Sequence, residues 1–181
     1  GAAAALQGAD DILILSHRRP DGDTAGCAGA LCRALRQIGK TAYILENPEI
    51  TKRYTPLIVP CYPPEGFTPG YVVSTDIAEE ELFPDTAECY KGKVDLAIDH
   101  HRSNLGFAEK DLIRPDARAC AEVLYDVIMA LGAKFTIDIA ECVYIGVSTA
   151  TGCFKFSNTT AHTHAVAAAC LPAGIDGGEI N

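Results

Sequence analysis

Three short segments of this chain concentrate the side chains that could do chemistry together. His17-Arg18-Arg19-Pro20-Asp21-Gly22-Asp23 offers one imidazole and two carboxylates, Asp76 a carboxylate, and Asp99-His100-His101 a carboxylate beside two imidazoles. Oxygen and imidazole donors without thiolates suit Mn²⁺ or Mg²⁺, with Fe or Co as substitutes. Several carboxylates facing one crevice would still repel one another around a single dication, whereas two dications would balance them. A two-metal site of this kind polarises a phosphoryl group and makes hydroxide from water near neutral pH. Taken singly, Asp21-Gly22-Asp23 reads as a turn, Asp76 as a helix cap and the histidine pair as a solvated loop. Taken jointly, the segments hold three of the five histidines in the chain, and one shared site accounts for all of them.

For that site to exist the segments must meet, and the hydrophobic pattern shows how they would. Asp11-Ile12-Leu13-Ile14-Leu15-Ser16 is a short continuous apolar run, the mark of a buried strand. Residues 41–45, Tyr71-Val72-Val73-Ser74-Thr75 and Val94-Asp95-Leu96-Ala97-Ile98 read as three further strands. Helices are predicted over 2–9, over 26–38 with Gly39 as a stop, over 119–131 with an end near Gly132, over 139–147 and over 160–171. Residues 47–69 are polar and Pro-rich and read as irregular. Strands alternating with helices predict an α/β fold, a mostly parallel sheet flanked by helices in a single domain. In open sheets of this class ligands bind beyond the carboxyl ends of the strands. The first, third and fourth strands run straight into His17, Asp76 and Asp99, so the topology would bring all three segments to one crevice.

Composition narrows the classes. With 181 residues, 48% of them hydrophobic and 22% charged, the chain reads as one ordinary globular core. No apolar run approaches the ~20 residues that cross a bilayer, and no basic-then-apolar leader is present. The eight cysteines never form a CxxC pair and several fall in apolar patterns, so reduced thiols and a cytoplasmic home are expected. A net charge of −9 argues against a surface made to grip long duplex DNA, which needs a basic face. It leaves small phosphorylated ligands open, because bound dications reverse the local field. Gly1 in place of Met, and the Gly-rich run 174–178, suggest a domain excised from a longer protein.

These residues also carry a family resemblance. His17-x-x-Pro20-Asp21-x-Asp23 is similar to the first motif of the DHH phosphoesterases, Asp76 stands where their second motif has a lone Asp, and Asp99-His100-His101 matches the motif that names the family. Gly146-Val147-Ser148-Thr149-Ala150-Thr151-Gly152-Cys153-Phe154, followed by Asn158-Thr159-Thr160, resembles the fourth motif and its sequel. Within the family the chain looks most like the bacterial enzymes that degrade short oligoribonucleotides and dephosphorylate 3′-phosphoadenosine 5′-phosphate. The resemblance implies two Mn²⁺ ions, with Mg²⁺ as a substitute. His17 and Asp21 would bind one, Asp23 and His100 the other, and Asp76 would bridge them. It further implies that His101 contacts the phosphate and assists protonation of the leaving oxygen, while Asp99 orients a histidine. Arg18, Arg19 and Arg102 are candidate phosphate contacts without an assigned role, and His162 and His164 read as structural.

Two departures from the family pattern stand out. The fourth motif ends in a metal-ligating Thr-Asp-Thr-Gly run, and here the Asp position is Ala150. The neighbouring residues still fit, so this reads as a single clean loss of a ligand that impairs the second metal. The second departure is that residues 1–176 match the catalytic domain, while 177–181 read as the start of a linker to a C-terminal substrate-binding domain that this sequence does not include. The expected function is hydrolysis of short oligonucleotides or nucleotide phosphates by a two-metal hydroxide mechanism, with a homodimer possible and no membrane partner. The alternatives are a DHH-type inorganic pyrophosphatase, a cyclic-dinucleotide phosphodiesterase or a catalytically inactive nucleotide-binding module.

Overall fold

Four consecutive apolar residues without polar alternation can only be satisfied by cover on both faces, and Ile12–Leu15 finds it as strand β1, fully buried. In the computed structural model, which describes residues 1–180, β1 lies inside a five-stranded sheet. The other strands are β2 (Ala42–Ile44), β3 (Tyr71–Thr75), β4 (Leu96–Asp99) and β5 (Lys110–Ile113). The spatial order is β2-β1-β3-β4-β5 and every pairing is parallel. The chain therefore leaves β1 in one direction and returns on its other side at β3. That reversal is the topological switch point at which parallel sheets open a crevice.

The two faces of β1 feed two cores. Ile12 and Ile14 join Val73, Leu96 and Ile98 under a helical layer made of α2 (Gly22–Gln37), α4 (Cys120–Ala130) and α5 (Ile137–Ala150). Leu13 and Leu15 pack with Val72, Ile77, Phe83 and Val94 beneath irregular segments and short 3₁₀ turns at Glu80–Leu82 and Asp85–Tyr90. Helices α1 (Ala2–Gln7), α3 (Thr55–Ile58), α6 (Ala161–Cys170) and α7 (Gly177–Ile180) complete the domain. Helix α2 approaches α5 so closely that a Cβ on Gly26 would lie 2.3 Å from the Cys142 carbonyl oxygen. Only glycine permits that approach, and it is what sets α5 against the loop after β1.

Several boundaries differ from the sequence expectation, each for a local reason. Helix α2 starts at Gly22 rather than 26, because Asp21 caps it by accepting from the backbone N–H of Asp23 and Thr24. Asp76, read singly as a helix cap, instead follows β3 with a left-handed φ of 59°. Helix α5 runs to Ala150 rather than 147, so the fourth motif is helical up to that residue. Strand β5 was not expected at all: Lys110 and Asp111 are exposed on a sheet edge, where charged residues are favoured and no apolar run is needed. The Pro-rich stretch 47–69 contains α3 and a 3₁₀ turn at Val59–Cys61. Gly177–Ile180, expected as linker, forms one helical turn, and Asn181 lies outside the described residues. Among the described residues none of the eight cysteines forms a disulfide, and six of them are buried. Among the described residues no helix is long and apolar enough to cross a membrane.

Candidate metal centre

The loop after β1 is held in place by hydroxyls and amides on neighbouring elements. Thr24 Oγ1 accepts from the His17 backbone N–H at 3.3 Å and donates to the Thr75 carbonyl at 2.9 Å, tying the ends of β1 and β3 to α2. Buried Asn47 donates to the His17 carbonyl and to Ser16 Oγ, both at 2.9 Å. His17 Nδ1 lies 2.7 Å from the Arg18 carbonyl, so in the neutral ring that nitrogen carries the proton and Nε2 is a bare lone pair. Nε2 faces two carboxylates, Asp21 Oδ1 at 3.6 Å and Asp76 Oδ2 at 3.9 Å.

His100 repeats the arrangement from the end of β4. Its Nδ1 lies 3.0 Å from the Ala117 carbonyl, which leaves Nε2 directed at Asp76 Oδ1 at 3.2 Å and Asp23 Oδ2 at 3.7 Å. A ring nitrogen whose partner N–H is spent on a backbone carbonyl is the usual setting of a metal-ligating histidine. Asp76 stands between the two rings. Its backbone N–H donates to the Ile98 carbonyl at 2.9 Å, and its buried Oδ1 has no hydrogen-bond partner. A buried carboxylate oxygen facing imidazole nitrogens is satisfied by a proton or a cation between them, so the residues present fit a metal.

The structure gathers the expected residues into two overlapping groups, His17, Asp21 and Asp76 on one side and Asp76, Asp99, His100 and His101 on the other. Asp76 belongs to both, as a bridging ligand would. Asp23, expected to share a metal with His100, stands at the border of the second group. Its two oxygens accept from the backbone N–H groups of Cys120 and Ala121 in the first turn of α4, at 2.8 and 3.0 Å. Asp99 is fully buried and its Oδ1 is 2.7 Å from His101 Nδ1, so it orients that ring and leaves Nε2 free. Ala150, expected from the motif to replace a ligand, ends α5 one turn beyond Gly146, at which a Cβ would lie 3.2 Å from Asp23 Oδ1. Ala150 also lines a groove of about 390 Å³ together with Asp21, Thr149 and Tyr54. His162 and His164 lie outside the centre, near Asp126 and stacked on Phe154 respectively.

Two supporting residues escaped the sequence reading. Asn104 donates to Asp99 Oδ2 at 2.8 Å and to the Ile77 carbonyl at 3.3 Å, bracing the carboxylate that orients His101. Glu122 is buried and accepts from the Arg118 and Ala119 backbone N–H groups, both at 2.8 Å, which fixes the start of α4 on which Asp23 rests. A Glu three residues after the residue that precedes α4 is a capping pattern visible in the sequence, whereas nothing local marks Asn104.

A sequence model described as the DHH family, N-terminal domain, matches residues 11–147. This chain belongs to the DHH family. The bifunctional oligoribonuclease and PAP phosphatase NrnA of Thermus thermophilus is 36% identical to it over 166 residues, 91% of this chain and 50% of that protein. The chain thus spans about half the length of the curated relatives it matches. An exopolyphosphatase-related protein from Bacteroides fragilis shares the fold with a TM-score of 0.84 at 21% identity, over 99% of this chain and 57% of that one. Exonuclease RecJ bound to manganese shares it with a TM-score of 0.53 at 15% identity, over 92% of this chain and 45% of that one.

The electrostatics of the DHH centre follow from burial and from this crowd of carboxylates. Burial opposes protonation of His17, but Asp21, the Arg18 carbonyl and Asp76 outweigh it and hold the pKa at about 9. Burial likewise opposes protonation of His100, and Asp76, Asp23 and the Ala117 carbonyl raise it to about 9. Burial pushes Asp76 up, against the pull of His100, and pushes Asp23 up further with the charge of Asp76 added. The hydrogen bond that His101 donates to Asp99 raises the His101 pKa, while Asp99 itself is held low, despite its burial, by His101 and Asn104. In the absence of metal, protons on His17 and His100 Nε2 offset part of the carboxylate charge, and a metal must displace them. Mn²⁺ binding is therefore expected to release about two protons at pH 7–8, with affinity rising as pH rises toward 9 and levelling above it. Calorimetry in two buffers of different ionisation enthalpy measures the release. Binding without proton release would mean that these two ring nitrogens are not ligands.

Proposed function

We propose that this chain is the catalytic domain of a metal-dependent phosphoesterase acting on short oligonucleotides and on nucleotide phosphates such as 3′-phosphoadenosine 5′-phosphate. The observation that carries the reading is the convergence of His17 Nε2 on Oδ2 and His100 Nε2 on Oδ1 of the same buried carboxylate, Asp76, at the ends of three strands. The similarity to the Thermus oligoribonuclease and PAP phosphatase supports the substrate class. His17, Asp21 and Asp76 would hold one cation, and Asp23, His100 and Asp76 the other. The all-oxygen-and-imidazole donor set fits Mn²⁺ or Mg²⁺, and the RecJ structure carries manganese. Two dications so held supply Lewis-acid charge for a phosphoryl group.

The remaining work falls to the chain's own residues. Asp99 holds the Nδ1–H of His101, which leaves Nε2, on a side chain 41% exposed, to donate a proton to a departing oxygen. Asn104 keeps Asp99 in place for that role. The net charge of −9 disfavours a long polyanion and suits a small ligand whose phosphate is met by cations. Ala150 favours a second reading, a nucleotide-binding module with little turnover. Release of mononucleotides from an RNA dinucleotide, hydrolysis of 3′-phosphoadenosine 5′-phosphate, pyrophosphate hydrolysis and duplex DNA degradation, all assayed with Mn²⁺, separate the readings. The first two substrates are expected to lead and duplex DNA to be nearly inert. Pyrophosphate as the best substrate would overturn the oligonucleotide assignment, and Mn²⁺ and nucleotide binding without turnover would favour the inactive module.

A further inference from the structure

The loop between β5 and α4 carries a second feature that the metal centre does not use. Arg118 lies half-buried in it, and its Nε is buried without any hydrogen-bond partner. Its side chain lines a pocket of about 460 Å³ together with Arg114, Glu122, Asp126, Thr160 and His162. Carboxylates are present there, yet they are engaged elsewhere. Asp126 takes Arg114 at 2.7 Å and lies 3.7 Å from His162 Nε2. Glu122 accepts from the two backbone amides at the start of α4 through Oε2 and from the Thr163 hydroxyl at 3.1 Å through Oε1. Asp116 is exposed and forms no ion pair with Arg118. The backbone N–H of Arg118 is pinned by Glu122 at 2.8 Å, so the residue is fixed at its root while its buried Nε lacks an acceptor.

A guanidinium presents a planar fork of donors that matches a phosphate. Helix α4 begins at this pocket, and the residue that caps α6, Thr160, lines it. The first amides of α4 are already taken by Glu122 and Asp23, so the charge that an anion would meet here is that of Arg118 itself. The pocket also adjoins the metal centre, because Ala117, which lines it, is the residue whose carbonyl holds His100 Nδ1 at 3.0 Å. We infer that Arg118 and this pocket form an anion subsite that takes the second phosphate of a nucleotide ester whose scissile phosphate lies at the metal centre. The identity of the ligand rests on the phosphoesterase reading. A monophosphate held at the centre has no second anion for Arg118, whereas a nucleoside 3′,5′-bisphosphate or a short oligonucleotide carries one a single nucleoside away. The subsite therefore makes Arg118 a residue that selects for doubly phosphorylated substrates.

The test compares adenosine 3′,5′-bisphosphate with adenosine 5′-monophosphate, by calorimetry with Mn²⁺ present and by the Nε–H NMR signal of Arg118. The signal is expected to shift saturably with the bisphosphate. Arg118→Gln is expected to weaken the bisphosphate at least about tenfold more than the monophosphate, and Arg118→Lys to restore part of the difference, as loss of a charge-assisted contact would. Neither variant alters the backbone amide that Glu122 holds, and a melting curve for each confirms the fold. Equal weakening of both nucleotides, or an unmoved Nε–H signal, would overturn the subsite. Hydrolysis is measured alongside on both esters. Arg118-dependent bisphosphate binding without any hydrolysis would remove the phosphoesterase reading and keep the subsite. Hydrolysis whose preference for the bisphosphate ignores Arg118 would do the reverse.

Discussion

Placing a carboxylate at position 150 is expected to raise Mn²⁺ stoichiometry toward two and hydrolysis by at least about a hundredfold, a gain of roughly 2.7 kcal/mol in transition-state stabilisation. Ala150 ends α5 one helical turn beyond Gly146, whose missing side chain lets Asp23 approach, so residues 146 and 150 share a face. An aspartate there would turn its oxygens toward the border of the second group, where Asp23 is already spent on two backbone amides of α4. As it stands, that side of the centre rests on His100, Asp76 and a partly committed Asp23. Ala150→Asp also has a stability signature that separates it from a general effect. A new anion at a helix C-terminus opposes the macrodipole and joins an already repulsive cluster, so without metal the variant should be destabilised by about 0.3–1 kcal/mol. With Mn²⁺ the order should invert, because only the folded state offers the completed site. Calorimetric stoichiometry, hydrolysis rate and melting with EDTA or Mn²⁺ are read on the same two proteins. Equal stoichiometry and equal rates would mean that position 150 is not a ligand position and that the alignment of the fourth motif is wrong.

What could be read from the sequence follows the range of the forces involved. The apolar run at Ile12–Leu15 and the residues directly after β1, β3 and β4 are adjacent in the chain, so the pattern shows both the strands and the chemistry at their ends. The parallel order then brings His17, Asp76 and His100 together without further information. Strand β5 was hidden because an edge strand with exposed Lys110 and Asp111 has no burial to impose a pattern. Asn104 was hidden because its value lies in a contact with Asp99, five residues away, and with the Ile77 carbonyl across the sheet edge. The exact setting of Asp23 could not be read either. It depends on α4 presenting two amides from almost a hundred residues later in the chain, a long-range contact that periodicity does not encode. Position 150 was legible as a motif residue, yet its place beside the Asp21 groove required α5 to extend one turn past the predicted end.

Asp76→Asn is expected to abolish Mn²⁺ binding at both positions and to cut hydrolysis by at least about ten-thousandfold, a loss of roughly 5.5 kcal/mol. Asparagine is the informative replacement because Asp76 has a left-handed φ of 59°. Asn occupies that conformation about as readily as Asp, so the backbone should persist while one charge disappears. The two residue groups that share Asp76 then each lose their common anion. Removing it should let His17 and His100 fall from about 9 toward the ordinary imidazole range, since Asp76 contributes to raising both. The sign of the pH effect follows from these shifts. In the metal-free unsubstituted chain, stability supplied by the protonated histidines is present below their ordinary pKa and is lost as pH rises through about 9. Above that pH, Asp76 is a buried anion among Asp21 and Asp23 with no proton left on the facing rings, and burial already pushes its pKa upward. With EDTA at pH 10 the Asn variant should therefore melt higher than the unsubstituted chain. With Mn²⁺ at pH 7.5 it should melt lower, because only the unsubstituted chain gains from metal. Such an inversion is expected where a buried charge is kept for its site rather than for the fold. An Asn variant that still bound two Mn²⁺ would remove Asp76 from the bridging position. One less stable than the unsubstituted chain under every condition would show that its carboxylate serves the fold first.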